Sequence, residues 1–245
     1  MVQYNRSFYI FRISEQWFQI NATWKDLFSF RAFMFIDAIV KTNPFLLREK
    51  TFTYIIHLEQ KSEDIKRKFN QNVQREINKA ITQNVECSHE LNLNKFYTFF
   101  SEFAKLKKIY QPKFDSMFVL KDNLHTSFAK LNGEIIVAHS YIKDIETGVV
   151  RLFQSASKRL DHHYDKNIIG QANKLLTFSD IEYFKVQGYK IYDFGGVALH
   201  TQNKSLLGIN HFKKSFGGQL IYNYNYFSPL LYVLRKLSQW IDKRY

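Results

Sequence analysis

The sequence predicts an α/β fold of the α+β kind, a mixed, mostly antiparallel central sheet flanked by helices. Three observations carry that reading. Residues 126–157 hold three β-rich runs joined by tight-turn dipeptides, the pattern of an antiparallel meander. Helical periodicity dominates on either side of it, over 62–109 and 167–187. After residue 188, strand, helix, strand and helix follow at short spacing, as in layered domains.

In chain order, Phe8 to Ile13 reads as a strand and Trp24 to Ile39 as a helix, with Pro44 breaking what precedes it. Thr51 to Leu58 alternates β-branched and aromatic residues and is a strand. Ser62 caps a helix with Glu63 and Asp64 in its first turn, and Ile65, Phe69, Val73, Ile77 and Ile81 form its apolar stripe. Lys66, Arg67, Lys68, Arg75 and Lys79 lie mostly off the stripe, as a solvated face or an anion-binding one. A second helix spans Leu93 to Ile109. Thr126–Leu131 and Glu134–Tyr141 flank the hairpin dipeptide Asn132-Gly133, and Thr147-Gly148 leads into a strand from Val149 to Ser157. A long helix from Asn167 to Gln187 carries the stripe Ile168, Ala172, Leu175, Leu176, Ser179, Tyr183 and Val186, and Gly188 ends it. Lys190 to Phe194 is a strand, and Ser205 caps a helix stopped by Gly217-Gly218. Gln219 to Phe227 is the last strand, and Pro229 opens a terminal helix to Tyr245. Residues 1–50 are read as an N-terminal extension packed on a domain covering 51–245.

The 245 residues suffice for a full core, and 45% hydrophobic with 17% aromatic content is globular composition. The 24 Phe and 15 Tyr exceed what a core needs, so some rings are expected to line a groove. A net charge of +13 points to an anionic partner, either nucleic acid, a phosphorylated donor or a lipid surface, or else reflects a basic background. The single cysteine, Cys87, excludes internal disulfides and cysteine-based metal clusters. No signal-peptide pattern or membrane-length apolar run is present, which reads as a cytoplasmic protein, with the inner membrane face as a place of contact.

The stretch 188–218 draws most of the chemistry together. Gly195-Gly196 opens the backbone where Asp193 leaves its strand, and a second glycine pair closes the next helix. The segments GYKIYDFGG at 188–196 and GINHFKKSFGG at 208–218 resemble N-acyltransferases of the GNAT superfamily. They are closest to the Fem-like branch of peptidoglycan aminoacyl transferases and acetyltransferase relatives. Residues Arg75 to Ala80 look like that family's Arg/Lys-Ala helix, so the resemblance covers about Thr51 to Phe227. Fem-type enzymes generally have two such domains, and this chain has room for one plus the extension. The segment Asn167-Ile168-Ile169-Gly170-Gln171-Ala172 is similar to the GNAT pyrophosphate loop, with Asn in its first place. Backbone N–H groups and a helix dipole there suit the phosphates of coenzyme A; a tightly packed helix start is the alternative.

The resemblance implies acyl transfer from acyl-CoA to a primary amine, on an amino sugar or peptide of cell-envelope or surface-polysaccharide synthesis. An aminoacyl-tRNA donor, or a non-catalytic basic module for nucleic acid or anionic lipid, are the rivals. An alkylamine costs roughly 4 kcal/mol to deprotonate at neutral pH, so a base is needed. Asp193 is the candidate base or amine anchor, or merely caps the next turn. Lys213 would stabilise negative charge, with His211, His200 and His139 as further proton carriers. Asn167, Ile169, Gly170, Ala172 and Lys174 are the expected coenzyme contacts, and Arg151 also reaches for phosphate. Arg75, Lys79, Tyr192 and Phe212 are the expected substrate contacts. The acceptor would be nucleotide- or lipid-linked if the terminal helix, with Leu231, Leu234, Leu237, Trp240 and Ile241 among Arg235, Lys236, Lys243 and Arg244, touches membrane instead of packing on the domain. No metal is expected: Asp161-His162-His163-Tyr164-Asp165 lacks a partner cluster.

Overall fold

A computed structural model describes residues 2–8, 11–40, 42–109, 111 and 114–242. The chain divides into two compact units, Met1–Thr53 with Ile221–Tyr245, and Tyr54–Leu220.

In the first unit β1 (Val2–Phe8) and β2 (Phe11–Trp17) form an antiparallel hairpin. The strand expected over 8–13 therefore straddles the hairpin's two arms. A short 3-10 helix, Trp24–Phe28, leads into β3 (Arg31–Asp37), which pairs in parallel with β2. The helix expected over 24–39 is thus a short 3-10 helix followed by a strand. Phe33, Phe35 and Ile36 suit a pleated surface, and ladder bonds on both edges of β3 outweigh the mixed spacing. Strand β4 (Leu47–His57) begins here and enters the second unit, and β10 (Gln219–Phe227) returns to pair with β3. Helix α7 (Pro229–Asp242) places Leu231 on Ile13, Ala32 and Phe227. Phe33, Ile36 and Tyr226 pack on Leu27 and Leu46 instead. Trp240 and Ile241 lie outside the described side chains, and residues 243–245 outside the described residues.

The second unit has the strand order β4-β9-β8-β7-β6-β5. Its strands are β5 (Glu86–His89), β6 (Leu124–Leu131), β7 (Glu134–Asp144), β8 (Val149–Ser157) and β9 (Ile191–Val197). The meander β6–β7–β8 is antiparallel as its turns require; Asn132 and Gly133 both hold positive φ, 52° and 82°. Helix α5 (Lys166–Val186) packs on β5 to β8, with α2 (Gln71–Thr82) against it. Helix α3 (Leu93–Lys107) covers the opposite face: Lys95 sits over the Phe128 ring, whereas His125, of opposite parity on β6, stacks on Tyr183 of α5. Helix α4 (Phe114–Phe118) is an element the sequence reading did not foresee.

Two helices differ from expectation. Residues 62–82 form α1 (Ser62–Arg67) and α2 as separate helices. Asn70 breaks them: its side chain accepts from the Val73 N–H at 2.8 Å, and its own N–H donates to the Ser215 carbonyl at 2.9 Å. Ile65, Phe69, Val73 and Ile77 are buried, and Ile81 is exposed. The stripe of α5 is rotated: Ile169, Ala172, Leu176, Asp180 and Phe184 face inward, while Val186 is 81% exposed. No described helix is long and apolar enough to cross a membrane.

Candidate functional site

The parallel ladder between β8 and β9 is three pairs long, from Val149↔Ile191 to Arg151↔Asp193, although β8 runs on to Ser157 and β9 to Val197. At the last pair two buried charges meet. An Arg151 guanidinium N–H donates to Asp193 Oδ2, and the Gly195 N–H donates to Asp193 Oδ1 at 2.8 Å. Gly195 is required there: its φ is +78°, and a Cβ would come within 3.0 Å of the Leu152 carbonyl oxygen.

Helix α6 (Lys204–Ser215) closes this end of β9. The Asn203 side chain caps it, Asn210 exchanges hydrogen bonds with the Ala198 backbone, and Phe212 packs on Phe216. Lys213 is 9% exposed, and its ammonium donates to the Gly196 carbonyl at 2.7 Å. Burial, with the charge of Arg151 added, pulls the Lys213 pKa down to about 8 against the opposing pull of Asp193. The sequence-predicted pair Asp193 and Lys213 is thus brought together, with Arg151 as the partner the sequence reading had assigned to phosphate. His211, two residues before Lys213, is exposed and points away, as i and i+2 side chains on a helix do. His200 is likewise exposed.

Tyr192 faces the other way, into the layer under α5, and is fully buried. It belongs to a polar chain that sequence reasoning missed. The hydroxyls of Tyr192 and Tyr141 lie 2.8 Å apart, the Tyr141 hydroxyl donates to Asp180 Oδ2 at 2.6 Å, and His139 bridges Asp180 and Asn173 at 2.8 Å each. Burial first, then the Asp180 carboxylate, raises both tyrosine pKa values well above 10, so the chain holds neutral hydroxyls. His89 and His125 lie beside it. Burial lowers both, His125 to about 4. Burial also raises the Cys87 thiol to about 12, leaving it inert. The signal for this chain was an acid in the i, i+4 row Ala172, Leu176, Asp180. As a substrate contact Tyr192 is corrected by this burial. His139 is committed to Asp180.

The expected coenzyme segment does not form a loop: 167–172 are the first turns of α5. The Asp165 side chain caps the Asn167 N–H at 2.8 Å. Asn167 is exposed, and a Cβ at Gly170 would meet nothing within 4 Å, so this flank lies open. Ile169 and Ala172 point into the core. Lys174 is half-buried, and desolvation lowers its pKa. Arg75 and Lys79 arrive at the same turns from α2. Both approach the Glu76 carboxylate, at 3.8 and 3.4 Å. Although burial opposes it, Glu76 is held below the usual carboxylate range by Gln171, Lys79 and Lys174. Of the residues expected to contact coenzyme or substrate, Lys174, Arg75 and Lys79 thus gather around Glu76, whereas Ile169, Ala172, Tyr192 and Phe212 lie elsewhere. Asp161 and Asp165 cap backbone N–H groups of His163 and Asn167, and no His, Cys, Asp and Glu grouping among the described residues has metal-site geometry.

No family model matches the sequence, and no curated protein sequence does. Solved structures do match in three dimensions. FemX is similar with a TM-score of 0.68 at 9% identity, over 96% of this chain and 85% of its own. The fold is FemX-like. At 96% of this chain, that likeness extends beyond Thr51 to Phe227, the span of the sequence resemblance. L-PGS from Bacillus licheniformis gives 0.55 at 13% identity, over 88% of this chain and 74% of its own. The C-terminal domain of a putative lysylphosphatidylglycerol synthetase from Agrobacterium fabrum gives 0.57 at 9% identity, over 81% and 67%. At these identities the likeness is one of fold: a mixed, mostly antiparallel sheet with helices on its faces.

Proposed function

We propose that the chain is a Fem-like N-acyltransferase that moves an acyl group from acyl-CoA to a primary amine. One observation carries it. At the end of the three-pair β8–β9 ladder, a lysine with a pKa of about 8 sits beside a buried arginine–aspartate pair. A lysine at that pKa is neutral about one time in ten at pH 7, so it can accept the proton an attacking ammonium must lose. The amine nitrogen then attacks the thioester carbonyl carbon, and the protonated lysine faces the developing oxyanion. Collapse breaks the C–S bond, the lysine's proton passes to the departing thiolate, and the amide nitrogen sheds its remaining proton to water. Asp193 has both carboxylate oxygens engaged. It serves as the anchor that fixes Arg151 and the Gly195 backbone, and Lys213 takes the base role.

The open first turns of α5, with Asn167, Gly170 and Lys174 and the neighbouring Arg75 and Lys79, would hold the donor phosphates. Asp165 occupies one of the helix-start donors, so the cationic side chains do most of that binding. An amino sugar or peptide of cell-envelope or surface-polysaccharide synthesis is the proposed acceptor. An aminoacyl-tRNA donor is the second reading, favoured by the likeness to FemX and to proteins named for a lysyl-lipid product. The test is thiol release from acetyl-CoA against a panel of amino sugars and lysine peptides. Amine-dependent release that falls at least about a hundredfold in Lys213→Met supports the reading, a loss of the size expected for a proton-transfer group. Release that is unchanged in that variant removes Lys213 from the chemistry.

A further inference from the structure

We propose that the first unit carries a docking surface for an anionic lipid bilayer, made by the outward face of α7 and the 3-10 helix Trp24–Phe28. This goes beyond the acyl-transfer reading and does not rest on it.

Helix α7 is apolar on two sides. Its inner side seats Leu231 in the core, yet Leu230, Val233 and Leu237 point outward at 47%, 55% and 54% exposure. A surface helix ordinarily turns polar residues that way. The neighbouring 3-10 helix repeats the pattern: Leu27 is buried, whereas Trp24 and Phe28 are 67% and 80% exposed. The two elements adjoin. The Ser228 hydroxyl, at the start of α7, donates to the Ser29 carbonyl and accepts from the Arg31 N–H at 3.3 Å, which sets Phe28 beside the Pro229-Leu230 end. Trp24 in turn meets exposed Phe45, with ring centroids 5.6 Å apart.

Charge selects the occupant. Among the described side chains of this surface the acids are engaged, Glu49 by Arg235 and Lys236 at 2.9 and 3.3 Å, Asp26 by Arg31 at 3.6 Å. Lys25 stands exposed next to Trp24. The unit as a whole has eleven lysines and arginines against five aspartates and glutamates. A second copy would bring like charge to the contact, whereas an anionic bilayer accepts both the cations and the apolar side chains. Exposed tryptophan and phenylalanine beside leucine and lysine is interfacial composition, and the aromatic rings and leucines would sit at the headgroup boundary.

The experiment is co-sedimentation of the full chain with vesicles of equimolar phosphatidylglycerol and phosphatidylcholine, and with phosphatidylcholine alone. The double variants Val233→Asp/Leu237→Asp and Trp24→Ser/Phe28→Ser change only exposed side chains, and their melting curves check the fold. The wild type is expected to pellet with the anionic vesicles, less with the neutral ones and less at high salt. Each double variant is expected to partition at least about tenfold more weakly, since the apolar contacts scale with buried area. Failure of the wild type to bind, folded variants that bind as well as it does, or a dimer dissolved by the substitutions without vesicle binding would each overturn the proposal.

Discussion

At Lys213 the charged state, ordinarily the favoured one, is the state that burial opposes. Its pKa in the fold lies near 8, below the 10.5 of a free lysine, so between those values the unfolded chain binds the extra proton. Stability therefore rises with pH across that window, and the penalty is fully present below it. The shift corresponds to about 3 kcal/mol. The stability of Lys213→Met relative to wild type is expected to be greater at pH 7 than at pH 10, read as the difference between their urea denaturation curves at each pH. A parallel pair of curves would mean that Lys213 titrates normally. Asp193→Asn removes the carboxylate charge that faces the buried Arg151 guanidinium. It is expected to cost about 3–5 kcal/mol, the range for breaking one side of a buried pair, and chemical denaturation measures it. Asp193 could be named from the glycines beside it, and Lys213 from the family resemblance of its segment. Their partner Arg151 could not, because strand alternation does not say which residue of a parallel neighbour stands opposite.

Elements were legible where turn chemistry dictates them and lost where a distant segment does. The strands 149–157 and 219–227 have the bounds their flanking Gly148, Gly218 and Pro229 imply. The break between α1 and α2 had no local signal beyond Asn70. It exists because the turn after α6 packs into it: Gly217 holds φ +69°, and a Cβ there would lie 2.1 Å from the Lys68 carbonyl oxygen. Gly217→Ala meets both a left-handed backbone and a rigid backbone neighbour. We expect a loss of more than about 2 kcal/mol, larger than at Gly133, where a Cβ meets nothing and only the positive φ is at issue. Equal losses at the two glycines, read by thermal melting, would contradict the packing argument. The strand at 31–37 was misread as a helix for the same kind of reason, since its ladder partners lie far away in sequence.

Across the molecule, buried neutral histidines set the behaviour in acid. His125 titrates near 4 in the fold and near 6.5 when unfolded, so stability is lost as pH falls through that interval, and His89 adds in the same direction. His125 Nε2 has no hydrogen-bond partner among the described residues, and the ring stacks on Tyr183 and meets Phe184 edge-on. His125→Phe keeps a ring there and removes the titration. Its advantage over wild type should grow as pH drops from 6.5 to 4, and an unchanged acid midpoint would refute this. The net charge of +13 pointed to an anionic partner without saying where it binds; the fold gathers Arg75, Lys79 and Lys174 at the start of α5. The proposed acyl transfer requires an acyl thioester to bind there. A thermal-shift titration with acetyl-CoA, beside an aminoacyl-tRNA pool, tests it most directly, because a ligand that binds only the folded state raises Tm by mass action. Acetyl-CoA is expected to raise Tm saturably, and less so in Lys174→Ala. A rise with aminoacyl-tRNA and none with acetyl-CoA would contradict it.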